Sequence, residues 1–147
     1  MARIKLSLPA QFNFNTHIPV RISDVNYGGH VGNDAILSMM HDARVQYLHH
    51  LGATELQAFG TGLIMADVAI IYKNESFQGD VLLFEVTADE FTPFGFDLYY
   101  RVSTVRQEKH LLIAEGKTGM VCYDYAAKKV AKVPAELQQK LQGVPSL

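Results

Sequence analysis

Residues 34–51 constrain this chain more than any other stretch. Ile36, Met40, Ala43, Tyr47 and Leu51 recur at three- and four-residue steps, which is the period of a helix. Leu37, Met39, Val45 and Leu48 widen the apolar stripe. A helix this apolar does not lie on a surface and is expected to be wrapped by other structure. Asn33 and Asp34 are N-cap candidates, and Gly52 follows as a stop.

From Gly62 the period changes. Residues 64–74, 81–90, 95–106 and 111–125 are rich in Val, Ile, Phe, Tyr and Thr. Phe96, Leu98, Tyr100 and Val102 alternate with Asp97, Tyr99, Arg101 and Ser103, the two-residue period of a strand. The connectors at 78–80, 92–93 and 108–109 are short, which predicts antiparallel neighbours joined by hairpin-like turns. Ahead of the helix, residues 16–24 alternate in the same way through Ile18, Val20 and Ile22. Pro19 lacks a ladder donor and argues for an edge or strand end. Short helices are expected at 54–59 and, after Pro134, at 135–141.

An antiparallel sheet must bury one face, and the long helix is the one element large enough to cover it. The prediction is an α+β fold, an antiparallel sheet wrapped around one long central helix, in a single domain over residues 1–147. That length suits one core. With 13 basic and 15 acidic residues, the charge balance argues against a nucleic-acid partner. Cys122 is the single cysteine, so neither a disulfide framework nor a cysteine-rich zinc site is expected, and a reducing, cytoplasmic compartment fits. The longest apolar run, residues 68–72, is far short of the ~20 a membrane helix needs. His49 and His50 point about 100° apart on a helix, a poor metal pair; no metal site is expected.

Asn26-Tyr27-Gly28-Gly29-His30-Val31-Gly32-Asn33 joins strand to helix, and three glycines in five positions mark a tight turn or a close backbone approach. This segment from Asp24 onward, followed by Asp42-Ala43-Arg44, resembles the hotdog-fold acyl thioesterases of the 4-hydroxybenzoyl-CoA thioesterase-like branch. Their motif reads Asp-x-Asp-x-x-Gly-His-Val-Asn-Asn, then an acidic-Ala-Arg triplet. Tyr72 through Phe77-Gln78-Gly79-Asp80-Val81-Leu82 is similar to the family's strand entry. Ala114-Glu115-Gly116-Lys117-Thr118 through Tyr123-Asp124, closed by Val133-Pro134, is similar to its last strand.

The resemblance implies a hotdog fold and hydrolysis of an acyl-CoA or acyl-carrier-protein thioester, without cofactor. It implies a homodimer or homotetramer whose paired sheets close the acyl groove. It places the thioester carbonyl at the start of the central helix, with the Asn33 backbone N–H as donor. Tyr27, Gly28, Gly29, Gly32 and Met40 are then expected around the substrate, with His30 in the catalytic turn. Two positions depart from the motif. Asn26 stands where the family carries its catalytic Asp, and Gly32 replaces the first Asn of the pair. An amide cannot act as a general base.

Among replacements, Asp24 shares strand parity with Ile22 if the strand continues that far, and it is the expected base or water-holder, with Asn26 orienting water or carbonyl. Asp34 would be favoured at the helix start by the dipole. Asp42 lies roughly 13–14 Å along the helix. Asp67 or Glu75 would come from a partner protomer. Structural roles compete for the same residues: Asn26 as a turn residue, His30 hydrogen-bonded inside the turn (the favoured reading of a lone histidine), Asp24 paired with Arg21 or Arg44, Asp42 paired with Arg44, Met40 in the core. A non-catalytic acyl-CoA-binding module is the alternative function. A hydratase is a weaker one, since its Asp-x-Asn-Pro-x-His and His-Phe-Pro motifs are absent.

Overall fold

The computed structural model describes residues 1–143. Strand β1 (Phe14–Pro19) leads through a 3₁₀ turn at Ile22–Asp24 into helix α1 (Asn33–His50). Four long strands follow: β2 (Gly62–Tyr72), β3 (Val81–Thr92), β4 (Gly95–Arg106) and β5 (Lys109–Asp124). A two-residue strand β6 (Lys129–Val130) and helix α2 (Ala135–Leu141) are the last of the described elements. The strands form one antiparallel sheet in the order β1-β3-β4-β5-β2. β6 takes up Tyr123 and Asp124 of β5, where β4 has run out.

The sheet buries one face against α1. Leu82, Phe84 and Val86 of β3 and Phe96, Leu98, Tyr100 and Val102 of β4 meet Ile36, Met39, Met40, Ala43, Tyr47 and Leu48 of the helix. This is the antiparallel sheet around one long helix expected from the two hydrophobic periods. Pro19 ends an edge strand, as its missing N–H requires. α2 closes the open end of the core with Leu137 and Leu141, and the Tyr47 hydroxyl donates to the Leu141 carbonyl at 3.2 Å. Burial pushes the Tyr47 hydroxyl pKa up to about 12 and the Cys122 thiol up to about 11, so the one cysteine is an inert core residue.

Several expectations need correction. The first strand stops at Pro19, because the Asp24 carboxylate draws in the Arg21 N–H at 2.8 Å and closes the 3₁₀ turn; Ile22 is left exposed. Residues 54–59 form no helix. Gly52 ends α1 with φ +86°, and Thr54 and Gln57 then satisfy each other's backbone groups in a closed turn. The connection at 78–80 is not a hairpin. β2 pairs with β5 at the far edge of the sheet, so residues 73–80 cross past the start of α1 to reach β3. α1 is covered on one face alone: His41, Asp42, Val45 and His49 lie outside. Gly32, extended at φ −73° and ψ 158°, is the N-cap in place of Asn33 or Asp34.

Arg44 pairs with Glu55 at 3.2 Å, not with Asp42, which accepts from Gln46. Arg44 also donates to the Tyr100 hydroxyl, which is bonded to Thr118. A buried guanidinium is tolerable when its donors are met in this way. Among the described residues, no helix is long and apolar enough to cross a membrane.

Candidate active site

Three chain segments converge at the start of α1. The first is the turn at 24–32. Asn26 holds it, accepting from the Gly28 N–H at 2.9 Å through Oδ1 and from Gly29 through its carbonyl, while its N–H donates to His30. Val25 and Val31 form an isolated bridge, and the Gly32 N–H donates to the Asp24 carbonyl. Gly29 sits at φ +82°, a conformation that glycine adopts freely. Asn26 therefore occupies the turn role that its chemistry also favours.

The second segment is the crossing at 73–80, which is pinned along its length. The Lys73 and Asn74 N–H groups both reach the Ile113 carbonyl, which a bulge in β5 opposite Val102 and Ser103 exposes. The Asn74 amide donates to the Leu112 carbonyl, and the Ser76 carbonyl accepts from Val31 N–H at 2.8 Å. Arg106 donates to both the Asp80 carboxylate and the Glu75 carbonyl and lies over the Phe77 ring. That hydrogen bond to Arg106 holds the Asp80 carboxyl below the usual carboxylate range.

The third segment is the first turn of α1. Gly32 has no side chain to cap it, and no side-chain cap is made. Ala35 and Ile36 return to the Gly32 carbonyl, so the leading N–H groups of the helix remain as donors. The Tyr72 hydroxyl donates to the Asn33 carbonyl at 3.1 Å. Burial first, and then the Asp34 charge, raise its pKa, so it stays a proton donor.

Between these segments lies a cavity of about 280 Å³, lined by His30, Asn33, Tyr72, Glu75, Ser76 and Ile113 among others. His30 Nε2 stands 3.7 Å from Glu75 Oε1. Ser76 is buried, and its Oγ is the one buried side-chain polar atom without a hydrogen-bond partner among the described residues. A helix N-terminus facing a cavity with a carboxylate and an imidazole can hold a developing oxyanion and move a proton. The described residues hold no cluster of His, Cys, Asp or Glu fit for a metal.

The structure brings His30 and Asn33 to this cavity. It sets the other expected residues elsewhere. The Asp24 carboxylate is buried in its own 3₁₀ turn, bonded to Arg21, and does not line the cavity. Tyr27 projects fully into solvent. Met40 is fully buried in the core, and the absence of a side chain at Gly116 makes room for its thioether. Gly28 and Gly29 shape the turn, and Gly32 caps the helix. Asp67 of β2 is paired with Lys117 of β5, away from the cavity. Glu75 needs no partner protomer to reach the site. Its adjacency to His30, and the orphaned Ser76, carry no sequence signal beyond a short polar connector after a strand.

The sequence matches the family model of the Thioesterase-like superfamily over residues 20–141. Solved structures with the same fold include a 1,4-dihydroxy-2-naphthoyl-CoA thioesterase from Synechocystis, at 22% identity and TM-score 0.77, covering 88% of this chain and 95% of that one. A 4-hydroxybenzoyl CoA thioesterase variant complexed with 4-hydroxybenzoyl CoA is 17% identical, with TM-score 0.78 over 87% of this chain and 97% of that one. A thioesterase-superfamily protein from Jannaschia sp. CCS1 is 18% identical, with TM-score 0.79 over 90% of this chain and 83% of that one. No curated protein matches the sequence.

Proposed function

We infer that this chain, which belongs to the thioesterase-like superfamily, hydrolyses an acyl-CoA thioester to the free acid and thiol. The observation that carries the reading is the start of α1. It has no side-chain cap, and it opens on a cavity that also holds an imidazole and a carboxylate. The carbonyl oxygen of the thioester would sit against the Asn33 N–H. As water attacks, the oxygen gains negative charge where the helix end offers an unpaired donor and the positive end of its dipole. Tyr72, bonded to the Asn33 carbonyl, fixes that first turn. CoA is favoured as the carrier because two proteins of the same fold are thioesterases of, or complexed with, aromatic acyl-CoA compounds.

Purified protein should release thiol from at least one member of a panel of short, long and aromatic acyl-CoAs, followed with a thiol reagent. No release from any of them would remove the reading. It would favour the non-catalytic acyl-CoA-binding module, to which Asn26 in its turn role would then belong.

The working unit we propose is a homodimer. β2 is an edge strand of 11 residues; its outer backbone groups at Leu63 are taken by Glu55 and Tyr125, and further along it Met65, Val68 and Tyr72 are exposed. A long open edge of this kind is a template for pairing with another chain. Pairing two β2 edges about a twofold axis would extend the sheet and cover the side of the cavity near Tyr72. Sedimentation at micromolar concentration should give twice the monomer mass or a multiple of it; a monomer would overturn the assembly.

A further inference from the structure

We propose that the base of this site is Glu75, on the crossing after β2, with His30 as the residue that positions it. The proposal rests on the hydrolytic reading above and names the group that reading leaves open. Glu75 is the one carboxylate among the described residues lining the cavity. Its rivals lie outside that lining. Asp24 is bonded into its own turn with Arg21. Asp34 lies on the first turn of α1, folded toward the Gly32 α-carbon and outside the cavity lining. Asp34 there would also oppose the negative charge that the helix end is set to receive.

Glu75 is held in place although it belongs to a loop. Its carbonyl accepts from Arg106, the carbonyl of the next residue accepts from Val31, and its carboxylate faces His30 at 3.7 Å. The Val31 bond ties the loop directly to the turn that leads into Gly32 and Asn33, so base and oxyanion donor share one rigid frame. Ser76 is the independent sign that the frame is built for a ligand. Leaving a buried hydroxyl unpaired is costly, and this one lies in the wall of the same cavity, beside Glu75.

The step balances as follows. The Glu75 carboxylate takes a proton from water while the water oxygen bonds to the thioester carbon. The carbonyl electron pair moves to oxygen, against the Asn33 N–H. That pair then returns, the carbon–sulfur bond breaks, and the leaving sulfur receives the proton from Glu75. The products are the carboxylic acid and the thiol.

The test is Glu75→Gln, which keeps size and hydrogen bonding but cannot take a proton. A positioned general base contributes about 100- to 10,000-fold, so kcat should fall at least 100-fold with KM little changed. The acid limb of the kcat/KM profile should disappear. Binding of a non-hydrolysable thioether analogue of acyl-CoA should stay within about threefold by calorimetry, since the variant keeps the cavity. His30→Gln should lower kcat less and leave the acid limb in place, as expected of a positioning residue. Asp24→Asn and Asp34→Asn serve as rivals. An active wild type with Glu75→Gln within threefold of it, or with the acid limb lost in Asp24→Asn or Asp34→Asn instead, overturns the assignment and leaves hydrolysis standing. A wild type that binds the analogue but turns over nothing overturns both.

Discussion

Replacing Asn33 by proline should leave the protein folded and lower kcat by about 100- to 1,000-fold. Asn33 is the first residue of α1, and Gly32 before it is extended at φ −73° and ψ 158°. The first helical position is where proline is best tolerated, because its missing N–H has no partner inside the helix. The extended backbone that proline demands of its predecessor is already present. The Asn33 carbonyl survives the change and can still accept from Tyr72. What is lost is the single N–H proposed to meet the oxyanion. Deleting one such donor costs about 2.7–4 kcal/mol of transition-state stabilisation elsewhere, and the loss should appear in kcat rather than KM. Asn33→Ala keeps the N–H and should stay near wild-type activity. Thermal unfolding of the proline variant should match or slightly exceed that of the parent, since proline at a compatible site stiffens the unfolded chain. Equal activity in the proline and alanine variants would remove the helix end from the chemistry.

The sequence exposes what is local and hides what is long-range. β4 begins at Gly95 and ends at Arg106, and α2 spans Ala135–Leu141, both as the residue patterns predict. In each case the pattern and the packing face agree. The alternation through Ile18 and Val20 carried the first strand too far, because the Arg21–Asp24 contact turns the chain with no break in hydrophobic pattern. Strand order was not legible from short connectors. Residues 78–80 read as a hairpin-like connector, yet the link from 73 to 80 traverses the end of α1, because β2 finds its partner in β5, more than 40 residues on. The candidate site follows the same division. Asn33 and His30 could be placed from the turn and the helix start. Glu75 depends on a bulge at Ile113, on Arg106 and on Val31, contacts that no local spacing reveals.

Gly95→Ala should destabilise the fold more than any other single methyl added to the sheet, by about 3 kcal/mol or more. Gly95 opens β4 opposite Val121, and it is buried. A Cβ built there runs into the backbone carbonyl oxygen of Met120, with the Met120 carbonyl carbon at 3.3 Å and the Val121 α-carbon at 3.4 Å behind it. Those atoms belong to a paired strand and cannot move without loosening the β4–β5 ladder, whose next bond runs from the Cys122 N–H to the Phe94 carbonyl. Overpacking costs about 1–3 kcal/mol when side chains can adjust and more when they cannot. For a chain of this size each kcal/mol lowers Tm by roughly 2–4 °C, so a fall near 10 °C is expected. Gly116→Ala separates the steric cause from a general intolerance of alanine in strands. Its Cβ would meet the Met40 Cε at 2.6 Å and Sδ at 3.0 Å, the far end of a flexible thioether. Met40 can change rotamer, so the expected cost is about 1 kcal/mol. Equal losses in the two variants would mean that the β4–β5 approach at Met120 is not what requires glycine at position 95.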